Sequence, residues 1–303
     1  MKEPPYGDIW DYLRTGKVVP FLGAGASLAG RPKIDKWDGD NPTVLPSGVE
    51  LAAYLASKAN FPSKRREDLE DLAKVASYCA DSSGRRRLRE RLRAVLDHKY
   101  AFSPLHELLA SVPVPLLIVV TNYDTLLEQA FRKANNKPYD LVIYPSDRLD
   151  AAGSVLWWRH GEPQPSPVHP NKLNIDLSKR TVIYKMHGSI ARSPEWDNFV
   201  ITEEDYIEFL SRMNTAVPPI FYSHCLERNF LFLGYSLRDW NLRVVLRNLS
   251  RMLVKRGGEI LPSWAIQRNP SDLERDLWEK RNVTIFDVPL DEFTARIKRE
   301  AKN

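Results

Sequence analysis

Val18-Val19-Pro20-Phe21-Leu22-Gly23-Ala24-Gly25-Ala26-Ser27 is a short apolar run that leads straight into a glycine turn. Gly23 and Gly25 carry no Cβ, so a backbone turn at these positions can come close to a pyrophosphate. A helix starting just after the turn adds free N–H groups and a dipole that favour phosphate charge. The stretch therefore points to a nucleotide site within the first thirty residues. A tight strand-to-helix turn without a ligand is the competing reading. The usual dinucleotide fingerprint needs a third glycine where Leu28 stands. A P-loop running from Gly25 to Gly30 needs Lys-Ser/Thr where Arg31-Pro32 stands, so the phosphate lysine and the magnesium hydroxyl are both missing.

Working outward, a helix over Ile9–Thr15 precedes the strand, and residues 31–46 are rich in Pro, Gly and Asp and read as a loop. Val49–Lys58, Leu69–Cys79, Arg86–Leu96 and Leu105–Ala110 have helical apolar spacing. Leu116–Val120 reads as a buried strand, and Asp124 is placed to cap a helix over Thr125–Lys133. Further strands are expected at Asp140–Tyr144, Thr181–Lys185, Phe230–Leu233, Trp264–Gln267 and Val283–Asp287. Helices are expected from Thr202, where Asp205 forms a capping-box pattern, and over Asn241–Lys255, Ser271–Lys280 and Asp291–Lys302. Strands separated by helices give an α/β fold with a doubly wound, mostly parallel Rossmann-like sheet. The expected organisation is a single domain over 1–303, with a helical subdomain inserted at 47–110 and a loop or hairpin inserted at 145–180.

The chain has 303 residues, 43% of them hydrophobic, and a net charge of +5 from 44 basic and 39 acidic residues. That mild excess does not by itself argue for nucleic acid, and direct nucleic-acid binding stays open. Two distant cysteines, Cys79 and Cys225, imply neither a disulfide framework nor a four-cysteine zinc site, so no metal is expected. Met-Lys-Glu-Pro-Pro-Tyr at the start lacks the apolar core of a signal peptide, and runs such as Val112–Val120 are too short to span a bilayer. The expectation is a cytoplasmic chain with no membrane partner.

Three more motifs follow expected strands: Thr121-Asn122-Tyr123-Asp124, Lys185-Met186-His187-Gly188-Ser189 and Gly234-Tyr235-Ser236-Leu237-Arg238-Asp239. In an open parallel sheet, ligands bind beyond the carboxyl ends of the strands, so four polar clusters at four strand ends converge on one crevice. Taken in order with Gly-Ala-Gly-Ala-Ser at 23–27, these motifs resemble the sirtuin-like superfamily. They are most like its bacterial NAD hydrolase branch, associated with antiphage defence. The resemblance covers residues 18 to about 287.

The resemblance implies an NAD site, with NAD as the substrate consumed. Gly23, Ala24, Gly25 and Ser27 would hold the pyrophosphate, with Thr121 also in the binding set. Asn122 and Asp124 would lie near the nicotinamide ribose, and His187 would be the catalytic base. Gly234 and Ser236 would contact the adenosine half, and Asp287 the region of the adenine. The chemistry suits these residue types. Cleavage of the nicotinamide–ribose bond passes through an oxocarbenium-like state. It needs a positioned nucleophile and a group that takes its proton, and a histidine titrating near neutrality suits that task. Asn122 can orient water or ribose hydroxyls, while Asp124 can steady the cation or cap the helix. The zinc module of protein-deacylase sirtuins needs four cysteines, so hydrolysis of NAD to nicotinamide and ADP-ribose is expected rather than lysine deacylation.

Each of these residues also has an ordinary reading. His187 alone could be a hydrogen-bonded core histidine, and Asn122 and Ser236 could be turn residues. His160-Gly161, in the 145–180 insertion, ranks below His187 as a second His-Gly pair. His98, His106, His169 and His224 read as structural. The basic run Arg85, Arg86, Arg87, Arg89, Arg91 and Arg93 spreads around a helix and reads as a solvated face, with a docking patch as the alternative. Trp157-Trp158 reads as core or as an interface anchor. The rival functions are a module that binds NAD or ADP-ribose without cleaving it, an NAD-dependent deacylase and an oxidoreductase. Because unrestrained NAD loss harms a host, control by homo-oligomerisation or by a separate defence protein, of Argonaute or translocase-ATPase type, is also expected from the resemblance.

Overall fold

The computed structural model describes residues 3–32, 37–134, 137–146, 148–212, 217–235 and 261–302. Ser236, the motif to Asp239 and the helix expected over Asn241–Lys255 lie outside these residues. The main sheet has nine strands: β1 Val18–Leu22, β2 Leu117–Val120, β3 Tyr139–Ile143, β4 Val155–Trp158, β5 Ser166–Val168, β6 Thr181–Lys185, β9 Asn229–Leu233, β10 Ser263–Ile266 and β11 Val283–Phe286. Two short strands, β7 Gly188–Ser189 and β8 Asn198–Phe199, pair apart from it. The order across the main sheet is β11-β10-β9-β1-β2-β6-β3-β4-β5. Every pair from β11 to β3 is parallel, whereas β4 and β5 add on antiparallel. The mostly parallel, doubly wound sheet expected from the sequence is therefore present, and part of the 145–180 segment forms its antiparallel edge.

β1 shows how the residues set the architecture. All five of its residues are buried, as expected of a strand covered on both faces. Val19 and Phe21 point to one apolar layer, and Val18 and Leu22 to the other, following the two-residue strand period. The first layer includes Phe209, Phe221 and Trp278. The second is built from helices Tyr6–Arg14, Pro104–Ser111, Leu126–Lys133 and Leu290–Glu300, through Ile9, Leu109, Phe131 and Phe293. Pro20 sits in this central strand and has no N–H for the ladder. The register with β2 accordingly covers only Phe21 and Leu22, while the register with β9 spans 18–22.

A separate apolar cluster joins helices Gly48–Ala59, Leu72–Ser83 and Arg85–Leu96, with Leu55, Val75, Cys79, Leu88 and Leu92 fully buried. It reaches as far as Tyr100 and meets Phe199 of β8 and Ile201 just after it. Helix Pro104–Ser111, the last of the stretch grouped as 47–110, packs instead on the sheet. Two arginines of the basic run fasten the helical unit down. Arg85 Nη2 donates to both carboxylate oxygens of Asp205 at 2.7 Å, and Arg93 Nη1 to both of Asp197 at 2.8–2.9 Å. Arg91 donates to the Lys58 carbonyl, whereas Arg86 and Arg87 lie on the outside beside Glu90. The run is thus divided between structural clamps and a solvated side.

Candidate active site

From β1 the chain moves to β2 on one side, and it returns on the other side as β9, so the winding reverses between β1 and β9. The two strands end at Gly23 and Gly234. Gly23 N–H donates to the Leu233 carbonyl at 3.1 Å, and Gly25 N–H to the Gly234 carbonyl at 2.8 Å. Gly234 has φ +63°, and a Cβ there would meet Ala26 N at 2.3 Å. A Cβ on Gly23 or Gly25 would come within 2.8 Å of Gly234 backbone atoms. The glycines therefore let two backbones interlock, and the Gly23 and Gly25 N–H groups serve that contact rather than standing open for phosphate.

A cavity opens on each side of this lock. One, of about 240 Å³, is lined by Gly23, Ala24, Thr121, Asn122, Asp124 and His187, together with Tyr123, Tyr206 and Tyr235. Its remaining wall is Leu45–Gly48, Leu51, Leu72 and Leu96, so the helical unit and the loop before it roof the polar strand ends. The other, of about 500 Å³, is lined by Gly25, Leu28, Gly234, Tyr235, Gln267–Asn269 and Val288–Asp291. Tyr235 belongs to both.

The polar side chains are tied to the lock. Asn122 Nδ2 donates to the Gly23 carbonyl at 2.9 Å and to Ser27 Oγ at 2.6 Å. Ser27 Oγ donates to Asp124 Oδ2 at 2.7 Å, and Asp124 Oδ1 accepts the Leu126 N–H at 3.0 Å. With the amide nitrogen committed, the Asn122 carbonyl oxygen is the atom left to address a substrate. Asp124 stands one residue before the N-cap Thr125 and takes the first N–H of the helix in a local turn, while its carboxylate stays at the cavity wall. Ser27, expected at the pyrophosphate, turns its hydroxyl inward and lines neither of the two cavities. Asp287 accepts the Asn269 N–H at 2.9 Å and faces Arg275 at 3.6 Å, so it braces the 267–269 loop; Asp291 is the carboxylate on that cavity's wall.

His187 is 3% exposed and held edge-on between Tyr206 and Phe209, with ring centroids 5.6 and 5.5 Å away. Its backbone is fixed by the next residue. Gly188 has φ +82°, and a Cβ there would meet the Asn198 carbonyl at 2.2 Å. The His187 carbonyl accepts the Val200 N–H, and Tyr123 OH donates to the Val200 carbonyl, which ties the Asn122 and His187 loops together. His160-Gly161 lies elsewhere, in a cavity with Arg132, Trp158 and Arg192.

A family model described as the SIR2-like domain matches residues 116–286. The chain belongs to the SIR2-like domain family. The SIR2-like chain is also similar to curated proteins named NAD(+) hydrolase ThsA. That of Enterococcus faecium is 28% identical over 242 residues, covering 80% of this chain and 41% of the relative. Those of Acinetobacter baumannii and Cytobacillus dafuensis are 28% and 27% identical, covering 78% and 72% of this chain and 40% of each relative. The chain spans about two fifths of the length of the curated relatives it matches.

Among the described residues of this SIR2-like chain, no group of three or more His, Cys, Asp and Glu could hold a metal ion, and no helix is long and apolar enough to cross a membrane. Behind the site, His106 is buried, accepts from Ser103 N–H at Nδ1, and is pushed down to about 4 chiefly by burial, so it is neutral at physiological pH. Arg31, which stands where a P-loop lysine would be, is bidentate to Glu50 at 2.7 and 2.8 Å and holds the Glu50 carboxyl down at about 2. Sequence reading missed Tyr206, Tyr235 and the Gln267–Asn269 loop as wall residues. The last follows β10 directly, so the strand-end rule that found the other clusters also marks it.

Proposed function

We propose that this chain cleaves the nicotinamide–ribose bond of NAD, giving nicotinamide and ADP-ribose. The observation that carries the reading is the pair of cavities meeting at the glycine lock. One holds His187, Asn122 and Asp124; the other is larger and has a polar loop over an apolar floor. A dinucleotide laid across the lock places its adenosine half in the larger cavity and its nicotinamide ribose in the smaller. The names of the relatives support the same reaction.

In this reading the Asn122 carbonyl oxygen orients the ribose or the attacking water, and His187 takes the proton of the nucleophile. Asp124, buried and close to the ribose, stabilises the developing positive charge. Ala24 approaches the pyrophosphate where the glycines leave the turn without side chains, with Gly234 and Ser236 toward the adenosine. No metal enters the reaction. The role is that of a toxic effector in antiphage defence, restrained by homo-oligomerisation or by a partner protein.

Incubating the purified protein with NAD and resolving products by liquid chromatography tests the reaction. Nicotinamide and ADP-ribose in equal amounts are expected. Intact NAD that stays bound would favour a second reading, a binding module. That reading has its own support in the internal hydrogen bonds made by the Ser27 hydroxyl and by each Asp124 carboxylate oxygen. Acetyl-ADP-ribose formed from an acetylated peptide would point to a deacylase.

A further inference from the structure

Lys185 is 1% exposed at the end of β6, two residues before His187. By strand alternation it shares the sheet face of Ile183, which belongs to the apolar layer under helix Leu126–Lys133. A charge is costly there unless it is paired. Its Nζ donates to the main-chain carbonyl of Asp124 at 2.5 Å and lies 3.4 Å from Oε1 of Glu128, itself 2% exposed. Neither Glu128 carboxylate oxygen accepts a hydrogen bond among the described residues. The pair is therefore poor as a stabilising bridge, because desolvation of both charges is not repaid by good geometry. What Lys185 does well is grip the peptide of Asp124.

That peptide begins a chain of contacts. The Asp124 carboxylate accepts from Ser27 Oγ, Ser27 accepts from Asn122, and Asn122 also binds the Gly23 carbonyl. One ammonium thus references the Asp124 and Asn122 side chains to β6, the strand that also carries His187. We propose that Lys185 is a positioning residue that sets the Asn122–Asp124 loop against His187 for cleavage, while leaving the adenosine cavity untouched. This rests on the reading of the site as an NAD hydrolase.

The test compares wild type, Glu128→Gln, Lys185→Met and the double variant K185M/E128M. The double variant removes both buried charges together, so neither is left uncompensated. Its unfolding midpoint should lie near that of wild type, yet kcat should fall by at least about tenfold, because small misplacements of reacting groups are expensive. KM for NAD and the affinity for ADP-ribose, measured by calorimetry, should stay within about threefold, since binding is dominated by the other cavity. Glu128→Gln keeps the grip on Asp124 and should keep kcat within about twofold. A double variant with wild-type kcat would overturn the proposal. So would a loss of kcat in Glu128→Gln as large as that in Lys185→Met, because the charge pair would then be the operative element. A wild type that binds NAD but leaves it intact overturns the hydrolase reading itself, and this inference with it.

Discussion

At the scale of single residues, the glycine lock is the least substitutable feature. Gly234 combines a left-handed φ with a Cβ position 2.3 Å from Ala26 N, so a side chain there is both strained and blocked by backbone. Gly234→Ala should cost about 1–3 kcal/mol of stability, the range for overpacked and strained sites. It should also weaken ADP-ribose binding, because the floor shared by both cavities must shift. Thermal unfolding and calorimetric titration read the two effects. A variant with wild-type melting and binding would mean that the two backbones do not interlock as described. The same glycines show where sequence reading reaches its end. Gly23 and Gly25 mark the turn correctly, because a missing Cβ is visible in the sequence. That their N–H groups go to Leu233 and Gly234 depends on a partner loop more than 200 residues away. The inward turn of Ser27 is hidden for the same reason, since its partner Asp124 is 97 residues on.

At the scale of elements, the helical unit is fastened by a few named contacts, and these predict unequal consequences within one basic run. Arg93 pairs with Asp197, which is 2% exposed; burial outweighs the pairing and holds that carboxyl above its ordinary range. Arg93→Ala leaves a buried carboxylate without its cation and should cost about 3 kcal/mol. Arg86→Ala removes an exposed i,i+4 contact and should change stability by less than about 0.5 kcal/mol. Urea denaturation of the two variants decides; equal losses would sink the division of the run into clamps and solvated positions. Sequence reading sees the density of arginines but not this division, because the acidic partners of Arg85 and Arg93 lie over a hundred residues away in the chain.

The Arg31–Glu50 pair carries a pH signature. Glu50 closes the capping box of helix Gly48–Ala59 and pairs with Arg31, which lowers its carboxyl from 4.5 to about 2. A depressed folded-state value means that the contribution is complete above about pH 4.5 and is lost as pH falls through about 2. Arg31→Met should abolish it, so the variant should be less stable than wild type at pH 6 and the difference should shrink steadily below pH 4.5. A difference independent of pH over that window would show that the pair does not act through charge.

At the scale of the whole molecule, the fold and the clustering of most candidate site residues follow from one rule. Apolar runs flanked by helices give a parallel sheet, and the polar residues after each run then share one end of it. Thr121, Asn122, Asp124, His187 and the two glycine turns are found in this way before any tertiary contact is known. The apolar roof from Leu51, Leu72 and Leu96 is not legible, because helical periodicity shows which face is buried but not what lies opposite. The edge role of the 145–180 segment is likewise invisible, since β4 and β5 are short and β5 is largely exposed.

The central claim is that His187, held between Tyr206 and Phe209 in the smaller cavity, performs the proton transfer of NAD cleavage. The most direct measurement is single-turnover release of nicotinamide by wild type and His187→Ala, alongside their affinity for ADP-ribose. The account predicts a rate lower by at least about a hundredfold in the variant, the usual contribution of a general base, with ADP-ribose affinity largely kept. Nicotinamide release by His187→Ala at the wild-type rate would contradict it.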